Sequence, residues 1–184
     1  MSKTKTAITV ASATALALAV PAVKKYEGYW PTVKIDWIGT GHPPTGGYGE
    51  TEGVKLGETH DEKYWADRLQ MRLRDEYDQQ IGECIHVEVP DSVRAALISA
   101  AYNAGPSAVC RSPMVSKVNL GLFREACTSF LTKDATGNYT GWYIRAGGRV
   151  VRGLINRRAQ ERSLCLSGLD APKPQPVKKA WWRK

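Results

Sequence analysis

Acidic residues are in short supply. The 184-residue chain sets 18 Asp and Glu against 26 Lys and Arg, a formal charge of +8 that favours an anionic polymer or surface as partner. Nucleic acid is not expected among those partners, because zinc-finger spacing, a basic helix running into heptads and an aromatic RNA-binding motif are all missing. Histidine is scarce too, and His42, His60 and His86 do not stand at metal-ligand spacing, so neither a metal nor another cofactor is expected. There is no CxxC pair. Cys84, Cys110, Cys127 and Cys165 are scattered, and their even number suits two disulfides with three possible pairings, hence an oxidising compartment. Four buried thiols are the alternative. No internal repeat is visible, and the length suits one compact domain with short attachments, expected to be a monomer.

Strongly apolar runs are also lacking, with one weak exception. After Lys3 and Lys5, residues 6–23 are 18 uncharged residues rich in Ala, Thr and Ser. The stretch reads as an export signal. It barely reaches the ~20 residues that span a bilayer, and its small side chains should hold it there weakly. Val20-Pro21-Ala22 resembles a small-residue cleavage site, which keeps a removable signal peptide open. A buried helix of a soluble domain is the least favoured reading, since no polar stripe of period 3.6 shows.

From Lys24 to Gly57, Gly, Pro, Thr and aromatics dominate. Thr32-Val33-Lys34-Ile35 is β-prone and glycines mark turns, so a small β-containing lobe is expected. Thr59-His60-Asp61-Glu62 reads as a capping box with Thr59 as cap. Trp65, Leu69, Leu73, Tyr77 and Ile81 then form one apolar stripe at i+4 spacing. Pro90-Asp91-Ser92 opens a nearly uncharged helix that stops at Asn103-Ala104-Gly105-Pro106 and should be the central buried one. Shorter helices are expected near 114–119 and 122–131, and a longer one from about 149 to 166. Between them, 132–148 reads as loop. The Pro- and Lys-rich stretch 170–184 reads as a disordered or surface-binding tail.

Glycoside cleavage requires one acid to protonate the leaving oxygen and a second carboxylate to handle water or the sugar cation. Glu27 lies among Tyr26, Tyr29 and Trp30, which could shield it, and Asp36 follows in the β-prone run. Taken singly, each is more often a solvated charge or a strand-end residue, and Thr45 a turn hydroxyl. Together, Glu27-Gly28, Asp36 and Thr45-Gly46-Gly47-Tyr48-Gly49 resemble the Glu, Asp, Thr pattern of the phage lysozymes, glycoside hydrolase family 24. Val87-Glu88-Val89-Pro90, Tyr102-Asn103-Ala104-Gly105 and Gly153 to Arg158 with Glu161 extend the resemblance over about 24–168.

The resemblance implies an α+β, mostly helical, lysozyme-like fold with a small β-hairpin lobe and a larger helical lobe. It implies residues 1–23 as a signal-anchor of the signal-arrest-release type, 24–169 as the catalytic domain and 170–184 as a basic tail. The implied activity is an endolysin cutting between N-acetylmuramic acid and N-acetylglucosamine in peptidoglycan glycan strands. Glu27 would be the acid, Asp36 the partner of water and of developing positive charge, and Thr45 the holder of that water. Arg158, or its neighbour Arg157, would pair with Glu27, although an exposed basic helix face fits both arginines as well. Cys127 with Cys165 is the implied disulfide, leaving Cys84 with Cys110. Residues 6–23 would tether the chain to the host inner membrane, facing the periplasm, until release. Two departures stand out. The stretch from Asp36 to Thr45 is about three residues long for the family, which keeps Thr40 as the alternative hydroxyl, and Glu50 stands where histidine is frequent. The competing functions are a non-catalytic wall-binding module and a cationic membrane-disrupting protein.

Overall fold

The computed structural model of the chain describes residues 11–37 and 41–169, so Thr40, the tail at 170–184 and the first part of the 6–23 stretch lie outside the described residues. Helix α1 (Ala13–Glu27) begins at Ser12, whose Oγ accepts from the Ala15 N–H at 3.0 Å. Ala15, Leu16, Ala19, Ala22 and Val23 are buried, which is one helical face, and they pack into the main core. The opposite face exposes Ala13, Thr14, Ala17 and Pro21. The least favoured sequence reading, a buried helix, is therefore what the fold contains here. It was hidden because the solvent side carries small residues instead of charges, which flattens the polar stripe. Among the described residues no helix is long and apolar enough to cross a membrane.

Strands β1 (Trp30–Ile35) and β2 (Pro44–Gly47) form an antiparallel hairpin with Lys34 opposite Thr45 and Ile35 opposite Pro44. The hairpin sits on Trp65, whose indole N–H donates to the Pro31 carbonyl at 3.1 Å. A Cβ on Gly47 would meet that ring at 2.5 Å, so glycine is what allows the close approach. Helix α2 (Glu62–Arg72) is capped by Asp61, which accepts from the Tyr64 N–H, and not by Thr59. Thr59 is held in a bridge to Thr32 of β1, and a cap there would pull it away. A π-helical turn, Leu73–Asp78, leads into α3 (Gln79–Gly82). It explains the i+4 stripe: strict four-residue spacing drifts round an α-helix, and a wider turn brings Leu73 and Ile81 back to the core.

Helix α4 (Asp91–Ala104) is the centre, with every residue from Ser92 to Ala101 buried, and Gly105 at φ +86 ends it. Arg94 on this helix pairs with the fully buried Asp78 at 2.5 Å, whose other oxygen accepts from the Ala11 N–H at 2.6 Å. The shell is completed by α5 (Pro106–Cys110), α6 (Pro113–Val118), α7 (Phe123–Thr128) and α8 (Arg152–Ser167). Disulfides join Cys84 to Cys110 and Cys127 to Cys165. The stretch expected as loop holds two short antiparallel hairpins, β3 (Leu131–Lys133) with β4 (Tyr139–Gly141) and β5 (Arg145–Ala146) with β6 (Arg149–Val150). Strands of two or three residues leave too short an alternation to read.

Candidate active site

Glu27 is the last residue of α1, and Gly28 at φ +70 turns the chain into the hairpin. A carboxylate at a helix C-terminus faces the negative end of the helix dipole and calls for a cation. Arg157 of α8 supplies it, donating from Nη1 to Glu27 Oε1 at 2.6 Å. The same guanidinium reaches Glu161 Oε1 at 3.4 Å and the Ser99 carbonyl at 3.3 Å, and it lies over the Tyr26 ring. Of the two arginines the sequence offered for Glu27, the pairing falls to Arg157 and not to Arg158. Successive helix residues point about 100° apart, so Arg158 is turned to Asn103 Oδ1 at 2.8 Å, to Glu161 Oε2 at 2.9 Å and onto the face of Trp142. Both arginines are buried, which rules out an exposed basic face for the pair. Burial pushes the Glu161 carboxyl up and the Arg158 guanidinium down, against the attraction between them.

On its other side Glu27 meets the loop that follows β2. A Cβ on Gly49 would stand 3.2 Å from Glu27 Oε2 and 3.4 Å from the Tyr102 hydroxyl, and Gly49 has φ +85. Tyr102 of α4 donates to the Tyr48 carbonyl at 2.7 Å, tying this loop to the helical lobe. Burial first, and then the Glu27 charge, push the Tyr102 phenol far up, so it stays a donor. Tyr29 and Trp30, expected to shield Glu27, are over one-third exposed; Tyr102 and Gly49 do the enclosing. Tyr102 stood in the sequence only within the Tyr102-Asn103-Ala104-Gly105 stretch that extends the family resemblance, and nothing there pointed it at Glu27.

Asp36 lies just past β1, its N–H bonded to the Pro43 carbonyl at 3.1 Å and its own carbonyl bonded to His42 Nδ1 at 3.2 Å. Thr45 is buried in β2, and its hydroxyl donates to the Pro43 carbonyl at 3.1 Å, which leaves the oxygen lone pairs to accept. Asp36 faces Pro43 and Lys34 faces Thr45, so residues 36 and 45 share one side of the hairpin as diagonal neighbours, roughly 7–8 Å apart. Glu50, in place of the frequent histidine, is buried and clamped by Arg68 at 2.8 Å and Arg72 at 2.5 Å. Burial would push Arg72 down, but Glu76 and Glu50 outweigh it and hold the guanidinium above its ordinary value. The Glu50 backbone exchanges two hydrogen bonds with Gly46, so the clamp fixes the loop that carries Gly49 to Glu27.

The Phage lysozyme family model matches residues 24–161, from just before Glu27 to the Glu161 that steadies Arg157. The chain belongs to the phage lysozyme family. An endolysin of Bacillus phage B103 is 33% identical over 155 residues, 79% of this chain and 51% of that protein. A protein of Enterobacteria phage P21 named SAR-endolysin is 36% identical over 90 residues, covering 49% of this chain and 48% of the relative. The chain thus spans about half the length of the curated relatives it matches. A crystal structure of a P22 lysozyme mutant superposes with a TM-score of 0.68 at 25% identity, over 86% of this chain and 99% of that one. The α+β lysozyme fold expected from the sequence is the fold present.

Proposed function

We propose that this phage lysozyme hydrolyses the β-1,4 bond between N-acetylmuramic acid and N-acetylglucosamine in peptidoglycan, as an endolysin. The observation that carries this reading is Glu27, about one-fifth exposed, fixed by Arg157 from the helical lobe and approached by the Gly49 loop from the hairpin lobe. Glu27 gives its proton to the glycosidic oxygen as that bond breaks. Asp36 offsets the positive charge on the sugar and takes a proton from the incoming water, while Thr45, its own proton already committed to Pro43, accepts a hydrogen bond from that water. The catalytic unit is 24–169, with 170–184 as a surface-binding tail. Glu27→Gln is expected to lower reducing-end release from purified peptidoglycan by roughly a thousandfold or more, with folding intact. Unchanged release would refute the reading.

Residues 6–23 act as a weak membrane anchor before the enzyme reaches the periplasm. The support is the same buried face of α1: Leu16, Ala19, Ala22 and Val23 can leave water either in a bilayer or in the core. While the segment is in the bilayer, Glu27 is held at the membrane surface, because only Lys24, Lys25 and Tyr26 separate it from Val23. Substituting Leu at Ala13 and Ala17, which face solvent in the fold, strengthens membrane retention without overfilling the core. Delayed lysis with normal activity of the purified protein is expected. Unchanged lysis timing would end the anchor proposal.

A further inference from the structure

One stretch of helix departs from α geometry. In the π-helical turn Leu73–Asp78 each turn takes in an additional residue, so successive side chains rotate by less than the ~100° of an α-helix. Two consecutive residues of that turn both meet α4. Asp78 pairs with Arg94, and the Tyr77 ring lies on the Tyr102 ring with centres 4.9 Å apart and planes tilted by 50°. Single π turns within α-helices are frequent at functional sites. The side chain that this one brings toward the active site is Tyr77.

Tyr77 touches both of the groups that hold the loop facing Glu27. Tyr102 holds one end of that loop, its hydroxyl donating to the Tyr48 carbonyl at 2.7 Å. Arg72 holds the other end, with Nη1 2.5 Å from Glu50 Oε1, and the same guanidinium lies over the Tyr77 ring at 5.6 Å. Gly49 stands between the two held residues, and a Cβ there would be 3.2 Å from Glu27 Oε2. Arg157 already fixes Glu27 Oε1. The carboxyl is therefore gripped from two sides, by a cation on one oxygen and by a braced loop against the other. Both tyrosines are half-buried and pack on the main core, which gives the brace a rigid footing.

We infer that Tyr102 and Tyr77 are positioning residues for the proton transfer, acting through the 48–50 loop to hold Gly49 against Glu27. The inference rests on the reading of Glu27 as proton donor, and it adds the brace that sets its aim. A displacement of about 1 Å at a reacting group costs up to roughly a hundredfold in rate. Without the brace the loop withdraws, water enters beside Oε2 and the carboxyl turns about its side-chain bonds. Neither tyrosine binds glycan in this role, so the effect falls on kcat and not on KM.

The test is the kinetics of purified full-length variants on solubilised, uncrosslinked glycan strands, per folded molecule and well below the unfolding midpoint. Tyr102→Phe keeps the ring and removes the hydroxyl. Its kcat should fall about tenfold, the worth of one hydrogen bond, with KM within about twofold of wild type. Tyr77→Leu keeps the Tyr102 hydroxyl and serves as the second variant should Tyr102→Phe fold poorly. It should lose kcat several-fold, and Tyr77→Phe, with the ring restored, should recover most of the loss. In proton–nitrogen NMR spectra the Gly49 amide should gain microsecond-to-millisecond exchange broadening in Tyr102→Phe and in Tyr77→Leu. Wild-type kcat in either folded variant, a rise in KM that accounts for the loss, or a Gly49 signal as sharp as in wild type would overturn the role. Failure of the underlying reading looks different: Glu27→Gln would then keep full activity, whereas wild-type kcat in the tyrosine variants beside an inactive Glu27→Gln removes only the brace.

Discussion

The helical lobe around α4 and the hairpin lobe after α1 are held together by different means. In the first, ten consecutive buried residues and the Arg94–Asp78 pair fix one packing, and apolar burial supplies most of the stability. In the second, a few specific contacts set the geometry: Trp65 under Gly46 and Gly47, Tyr102 on Tyr48, and two arginines on Glu50. Glu27 stands at the seam, on a helix rooted in the first lobe and facing a loop of the second. Stability and site geometry are therefore separable here, so damage to one lobe should not look like damage to the other.

Arg157→Ala gives the largest expected separation. It removes the cation that aims Glu27, and turnover on peptidoglycan should fall about a hundredfold or more, as for other preorganised charged contacts. Arg94→Ala should do the reverse: it leaves Asp78 buried and uncompensated at a cost of about 3–5 kcal/mol, read by urea unfolding, while activity per folded molecule is kept. Equal loss of activity in both variants would break the comparison. Gly47→Ala falls between them. Its φ of +57 and the contact with Trp65 forbid a Cβ without a shift of the hairpin, so about 1–3 kcal/mol of stability and several-fold activity should be lost together.

The smallest effect is a pH dependence. Hydrogen bonds from Lys24 and Tyr48 hold the Glu62 carboxyl below its ordinary range, and this contact links α1, the hairpin loop and α2. A depressed folded value means that the contribution is present above the unfolded pKa and is lost as pH falls through the folded one. Glu62→Gln should therefore flatten the acid side of the Tm profile slightly and leave Tm near pH 7 only a little lower. A profile identical to wild type would show that the contact contributes nothing.

Much of the helical lobe was legible because its signals are local. Pro90 and Gly105 bracket α4 in the sequence as they do in space, and of the i+4 stripe Trp65, Leu69, Leu73 and Ile81 are buried and Tyr77 is half-buried. The hairpin strand at 32–35 was legible by the same means. Where helix α1 packs in the fold was not legible, because Ala and Thr, small enough for a bilayer, a core or a solvent face, carry no directional signal. Asp61, not Thr59, caps α2 because a bridge to β1, a tertiary fact, claims Thr59. Choosing between Arg157 and Arg158 needed the rotation of α8 about its axis, which consecutive letters do not encode.

In the proposed reaction, water admitted opposite Glu27 ends up on the sugar. Digestion of purified peptidoglycan in water enriched in heavy oxygen, followed by mass spectrometry of the fragments, tests it most directly. Muramic acid reducing ends carrying one heavy oxygen are expected from wild type and not from Glu27→Gln. Anhydro ends lighter by one water, or no new ends at all, would contradict it.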